Sequence, residues 1–321
     1  MSSDGKYRDR LPQIAGTLFL TDGGIETCLI FHDGLDLPLF AVFPLLRDPK
    51  TRPLLIRYYE RYIEVARAHG TGFILESPTW RASADWGARL GYSATDVAAL
   101  NAEAIGLMHE LRKTHETPSS PMVVSGCIGP RGDGYVAGEV MPEDAAESYH
   151  APQVSAFAEA GADMVTAITM TNTNEAIGIA RAARKAGMPV ALSFTVETDG
   201  RLPTGQTLSE AILRVDEATE NSPAYYMINC AHPSHFESIM GSDQAWTRRI
   251  RGIRANASRR SHQELNDLPD LDAGDPVELG SQYRDLVQAH PQLNVLGGCC
   301  GTDHRHIESI ALACKRVART A

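Results

Sequence analysis

The stretch Leu293-Asn294-Val295-Leu296-Gly297-Gly298-Cys299-Cys300-Gly301-Thr302 reads as a short buried strand running into two adjacent cysteines. The same arrangement occurs upstream, in Tyr225-Tyr226-Met227-Ile228-Asn229-Cys230-Ala231-His232-Pro233. Working outward, six more apolar runs of strand type fall at 17–21, 73–75, 122–125, 164–168, 190–195 and 250–254, beside those at 225–229 and 294–296. Between them lie helical patterns, at 53–69, 94–113, 142–160, 174–185 and 208–219, and a last one at about 304–319. Ser93 with Thr95, and Thr207 with Ser209, are plausible helix caps. Eight strands alternating with eight helices predict a single (β/α)8 barrel over residues 1–321. A doubly wound open sheet is the runner-up, and no Gly-x-Gly-x-x-Gly opens a helix. Residues 256–280, rich in Asp, Ser and Arg, read as an elaborated loop after strand seven.

The barrel makes a geometric statement about the cysteines, because such folds place their sites at the C-terminal ends of the strands. Cys230 follows strand six, and Cys299 and Cys300 follow strand eight. Asp22-Gly23-Gly24 follows strand one, so all project onto one rim. Adjacent cysteines bridge each other poorly, but both can grip one soft cation. Three thiolates with an open fourth position make a catalytic zinc site. The bland alternative is that each is a small buried hydrophobe. The glycines around the pair, which let the backbone turn sharply, favour the metal. Cys28, Cys127 and Cys314 are expected to be structural, while His232, His304 and His306 compete for ligand roles. The glycines after Asp22 expose N–H groups suited to a carboxylate, and Asp22 suits an ammonium group.

Composition narrows the class. The 321 residues are 43% hydrophobic and 22% charged, ordinary for a globular chain with a large core. No apolar run approaches the roughly 20 residues that span a bilayer, and the first residues lack the apolar stretch of a signal peptide. A formal charge of −10 argues against a nucleic-acid groove. Six cysteines without a secretion signal point to a reducing, cytoplasmic setting in which thiols are ligands or core fillers. Oligomeric state is not legible.

The chain resembles the zinc-dependent homocysteine S-methyltransferases from about Phe19 to the last helix. The resemblance is carried by Thr21-Asp22-Gly23-Gly24-Ile25-Glu26-Thr27, Gly126-Cys127-Ile128-Gly129-Pro130, Ser193-Phe194-Thr195, Asn229-Cys230-Ala231-His232-Pro233 and Gly297-Gly298-Cys299-Cys300-Gly301-Thr302. It implies a (β/α)8 barrel and zinc held by Cys230, Cys299 and Cys300. It also places Asp22, Gly23 and Gly24 around the amino-acid part of the acceptor, with Asn229 beside them. Two positions depart from the family pattern. Cys28 stands where many members have glutamate, and Ile168 stands where a glutamate contacts the amino group of homocysteine. Asp22, Glu26 or Glu76 then has to take the ammonium group, Glu76 closing strand two on the same rim. The alternatives are another thiol or selenol acceptor, or a zinc- or thiol-binding barrel without catalysis.

The implied chemistry is methyl transfer to the homocysteine thiol, giving methionine. A free thiol titrates near 8.5, so little thiolate exists at neutral pH; metal binding deprotonates a coordinating thiol. The thiolate then attacks a methyl group on a cationic donor. Cobalamin-linked chemistry needs further modules and betaine-using relatives are longer, which leaves S-methylmethionine or S-adenosylmethionine. Trp80, Trp86 or Tyr135 could face the donor cation.

Overall fold

The computed structural model describes residues 5–241, 244–266 and 270–315. Eight parallel strands close into a barrel in sequence order. They are β1 (Phe19–Leu20), β2 (Gly72–Glu76), β3 (Met122–Ile128), β4 (Met164–Met170), β5 (Val190–Thr195), β6 (Tyr225–Asn229), β7 (Ile250–Ala255) and β8 (Val295–Gly298). Closure comes from β1 pairing with β8, Phe19 opposite Val295 and Leu20 opposite Leu296. The outer ring is α1 (Arg52–His69), α2 (Ala94–His115), α3 (Glu143–Glu159), α4 (Thr173–Lys185), α5 (Leu208–Thr219), α6 (Pro233–Met240), α7 (Pro276–Ala289) and α8 (His304–Cys314). The expected (β/α)8 barrel is therefore the fold.

Local chemistry explains the helix starts. Ser93 caps α2 and Thr207 caps α5, each in a reciprocal capping box with Asp96 and Glu210. Asp303 caps α8 in the same way with His306, so that histidine is spent on the helix start. The expectation of a loop across 256–280 needs correction. A short helix, His262–Asn266, interrupts it, and α7 already begins at Pro276. There Asp275 accepts the N–H groups of Val277 and Glu278, and proline occupies the first turn, where its missing N–H costs nothing. The expected last helix ends at Cys314, and 316–319 lie outside the described residues.

The two-residue period of the strands sorts the barrel interior into layers. Toward the N-terminal end, Phe19, Ile74, Val123, Met164, Tyr225 and Val295 form a closed apolar plug with Leu11 beneath it. Further along toward the C-terminal ends, the inward positions turn polar: Glu76 on β2, Ser125 on β3, Thr166 on β4, Ser193 on β5, Asn229 on β6 and Arg254 on β7, all buried. Ser125 and Thr166 hydrogen-bond at 2.8 Å, and Ser193 donates to Asn229 Oδ1 at 2.6 Å. The plug holds the barrel shut from below, and the polar layer is the floor of a site opening at the C-terminal rim.

Candidate active site

Cys230, Cys299 and Cys300 converge there, their sulfur atoms all within 4.8 Å of one another. The end of β7 brings them together. The Cys230 N–H donates to the Arg254 carbonyl, and the Cys299 N–H donates to the Ala255 carbonyl. Cys300 donates its N–H to Asn256 Oδ1 at 3.1 Å and accepts from Ala257 N–H. A single run, 254–257, thus splints two loops 69 residues apart in sequence. Cys230 takes the left-handed conformation (φ 53°), which a non-glycine residue adopts only where surrounding contacts hold it. The structure closes Cys230 and Cys299 as a disulfide, with Cα atoms 5.4 Å apart, and leaves Cys300 a free thiol. The adjacent cysteines do not bridge each other; the pairing joins the two loops, whose proximity suits a shared metal as well. Tyr135 Oη lies 3.1 Å from Cys300 Sγ, and burial pushes that thiol up against the hydrogen bond.

The competing ligands fall away. His232 caps α6, its Nδ1 accepting from Ser234, and burial lowers its pKa to about 4. His306 bonds the Ala273 carbonyl through Nε2, and His304 only opens α8. The metal-competent set among the described residues is the three cysteines. Cys28, Cys127 and Cys314 are buried, as expected of structural thiols.

Below the cysteines lies a charged pair absent from the sequence reading. Arg254 Nη2 meets Asp22 Oδ1 at 2.5 Å, while Tyr58 donates to Asp22 Oδ2 at 2.9 Å. Both Asp22 oxygens are thereby engaged within the protein. The signal for Arg254 was its place at the C-terminal end of a strand, where inward residues face the site. Gly23 and Gly24 permit the close approach of this turn to the 299–302 loop. A Cβ on Gly24 would meet the Cys299 carbonyl at 2.6 Å, and the Gly24 N–H already donates to Thr302.

Two other carboxyls have no such partner. Glu76 is 4% exposed, and its Oε2 is buried without a hydrogen bond. Burial raises its pKa to about 7, with Arg254 opposing and Asp22 adding to the rise. Glu26, in the turn after Gly24, is likewise raised to about 7 by burial. Asn229 spends its Oδ1 on Ser193 and on the N–H of Thr169, fixing the left-handed turn at that residue (φ 59°). Its Nδ2 remains buried and unpaired. Unpaired buried polar atoms are costly and uncommon, so a cluster of them at a cavity marks where a ligand's polar groups belong.

Asp22, Gly23, Gly24, Glu26, Glu76, Thr169, Arg254 and the three cysteines line one cavity of about 830 Å³, with Asn229 buried directly behind Thr169. Its walls include Ile168, Trp80, Arg81 and Tyr135, and its rim carries the exposed Phe31, Phe40 and Val136. Ile168 thus offers an apolar surface where an acidic side chain would otherwise stand. Trp80 is fixed by its Nε1–H bond to Thr169 at 2.7 Å. Among the described residues no helix is long and apolar enough to cross a membrane.

Comparison with known proteins agrees with this geometry. The chain is 23% identical over 324 residues to homocysteine S-methyltransferase 1 of Arabidopsis thaliana, covering 94% of each. It is 24% identical over 318 residues to a selenocysteine Se-methyltransferase of Brassica oleracea var. italica, covering 92% of this chain and 88% of that one. Its fold superposes on the homocysteine methyltransferase MmuM of Escherichia coli in the oxidised form, with TM-score 0.71, 20% identity, and coverage of 95% of this chain and 97% of that one. The metallated form of that protein gives TM-score 0.69 at 18% identity, covering 96% and 97%. The family model for homocysteine S-methyltransferases matches residues 19–314, and the chain belongs to that family as a methyltransferase.

Proposed function

We propose that the protein transfers a methyl group from a sulfonium donor, S-methylmethionine or S-adenosylmethionine, to the thiol of homocysteine, using zinc held by Cys230, Cys299 and Cys300. The observation that carries this is the convergence of three sulfurs at the mouth of a cavity whose floor holds the Glu76 carboxyl with one oxygen buried and unpaired. The donor set fits the metal: three soft thiolates suit zinc and leave one position for a further sulfur. When bound, zinc supplies the deprotonation of a coordinating thiol, which would otherwise titrate near 8.5.

The remaining work falls to the chain's own groups. Glu76 and Glu26 take the acceptor's ammonium group in place of the side chain absent at Ile168, because burial outweighs the nearby arginines and leaves each carboxyl raised to about 7. Asp22, locked to Arg254 and Tyr58, adds negative potential beneath them and holds the loop carrying Gly23 and Gly24. The unpaired Asn229 Nδ2 offers one donor to the acceptor. Tyr135 donates a hydrogen bond toward Cys300 and, with Trp80, walls the region where the cationic donor enters. In the displacement, the acceptor sulfur forms its bond to the methyl carbon as the donor's C–S⁺ bond breaks. The donor leaves as a neutral thioether, and the thiol proton goes to solvent.

The decisive test is methyl transfer by reduced, zinc-loaded protein to homocysteine and to thiols without an amino group. Each acceptor is paired with sulfonium and with betaine donors, and zinc content is measured in parallel. Transfer to homocysteine from a sulfonium supports the reading; none from any donor defeats it. A second reading rests on Ile168: an acceptor thiol or selenol that presents an apolar face there. Equal transfer to thiols lacking the amino group would replace homocysteine by that class.

A further inference from the structure

Arg81 lines the cavity and has no part in the proposed roles. It is 5% exposed, on the segment that follows β2. Its guanidinium lies between two indoles, 3.8 Å from the Trp80 ring centroid and 3.7 Å from that of Trp86. Those contacts satisfy the two faces of the planar cation but none of its five edge donors. Only one donor has a described protein acceptor: Nη1–H bonds the Gly132 carbonyl at 2.9 Å. Nε is buried and unpaired, and the Gly132 carbonyl is the group's hydrogen-bond acceptor among the described residues. A buried cation with most of its donors unpaired is costly in a protein. Asp133 and Glu26 are near enough to favour the charged form, and burial lowers the pKa only to about 10, so the charge persists at neutral pH.

We infer that Arg81 is a carboxylate-binding residue of the substrate cavity, presenting the free edge of a π-clamped guanidinium to the α-carboxylate of an amino-acid substrate. A carboxylate matches that edge in geometry and charge. The stacking rings fix the plane of the fork beforehand, so little side-chain freedom is lost on binding. Of the two glycine N–H groups after Asp22 that suit a carboxylate, that of Gly24 is committed to Thr302. The inference deepens the proposed function, since homocysteine and S-methylmethionine both carry an α-carboxylate; which of the two Arg81 holds is for the experiment to decide.

The flanking indoles provide a readout independent of turnover. The chain has three tryptophans, and Trp246→Phe leaves only the pair around Arg81. Reduced, zinc-loaded protein in that background is titrated by fluorescence with homocysteine, S-methylmethionine and the carboxamide of each. The expected result is that one carboxylate binds about tenfold or more tightly than its carboxamide, in line with a charge-assisted hydrogen bond. Arg81→Gln should then bind both forms equally, and Arg81→Lys should retain part of the preference. A preference in the homocysteine pair assigns Arg81 to the acceptor; one in the S-methylmethionine pair assigns it to the donor. Absence of preference in the parent protein for either pair overturns the inference. An equal weakening of both forms by Arg81→Gln also overturns it, reducing Arg81 to a tether for Gly132. Should Arg81→Gln not fold, as judged by circular dichroism, the parent and Arg81→Lys titrations decide. Discrimination without methyl transfer would sink the proposed reaction and leave Arg81 standing; transfer without discrimination would do the reverse.

Discussion

Replacing Glu76 with glutamine should stabilise the ligand-free protein at alkaline pH while weakening its grip on an ammonium-bearing acceptor. Glu76 is buried, one of its oxygens has no partner, and its pKa stands at about 7 against an ordinary 4.5. A carboxyl whose folded pKa lies above its unfolded one holds its proton more tightly in the folded state. The native protein is therefore most favoured below the unfolded value. That advantage drains away as pH rises from about 4.5 to about 7, and above this the buried charge is carried in full. A shift of roughly 2.5 units at about 1.4 kcal/mol per unit makes the alkaline cost on the order of 3 kcal/mol. Glutamine keeps the shape and never ionises. With an unfolding entropy of about 2 cal/mol/K per residue over this chain, that free energy corresponds to roughly 4 °C in midpoint. Thermal unfolding followed by circular dichroism at pH 4.5, 6.5 and 8 should show a gap opening from near zero to that size in favour of Glu76→Gln. A pH-independent gap, or a less stable variant at pH 8, would refute the idea that Glu76 sits uncompensated until a cation arrives. In the companion assay, KM for homocysteine should rise severalfold more than KM for a thiol without an amino group.

Other outcomes follow from the same geometry. Cys299→Ala or Cys300→Ala should lose both bound zinc and methyl transfer with little change in thermal midpoint, since the ligands sit on rim loops away from the apolar plug; full activity in a zinc-free variant would count against the metal site. Arg254→Met should cost about 3–5 kcal/mol in denaturant unfolding at pH 7, because it strands the buried Asp22 carboxylate with only Tyr58. Asp22→Asn combined with Arg254→Met should recover part of that loss, and additive losses would deny the pairing. Ile168→Glu puts an acidic group back on the cavity wall and should lower KM for homocysteine; an unchanged value would mean that the acceptor's amino group is not near β4.

The architecture was legible because its signals repeat. Eight apolar runs recur at the spacing of β/α units, and such a closed sheet buries strands on both faces, so each strand betrays itself by apolar content alone. The run 250–254 was readable as a strand even though it carries Arg251 and Arg254. The convergence of Cys230 with Cys299 and Cys300 followed from topology: ends of strands six and eight share a rim, and only β7 lies between them. What topology does not convey is the splint itself, since the bonds from Cys230 and Cys299 go to backbone carbonyls that any residue could supply. The helix at Pro276–Ala289 was obscured because its Asp-Pro start lies in a tract rich in Asp and Ser.

The charged floor was harder to read, for a reason that applies to most buried sites. A sequence announces which charges exist but not which cancel. Asp22 carried the strongest sequence argument for holding an ammonium group, being an acid beside two glycines at the rim. The fold spends it on Arg254, a residue 232 positions away whose role no local pattern reveals. Glu76 carried a weaker argument, as an acid ending a strand, yet it is the one left with an oxygen buried and unpaired. Arg81 carried none, because an arginine between tryptophans reads equally well as a packed surface residue. Ligand-binding polarity is thus a remainder, what stays unpaired after the fold has satisfied its own groups. Around this cavity the remainder is one Glu76 oxygen, the Asn229 amide donor behind the wall and one guanidinium edge, groups that the ammonium and carboxylate of an α-amino acid complement. An acceptor bearing only a thiol would leave the Glu76 oxygen and the Asn229 donor unpaired together, so discrimination for the amino-acid backbone should exceed the effect of Glu76→Gln alone. If removing the amino and carboxyl groups from the acceptor together changed kcat/KM no more than Glu76→Gln does alone, this account of the floor would fail even with the cysteine site intact.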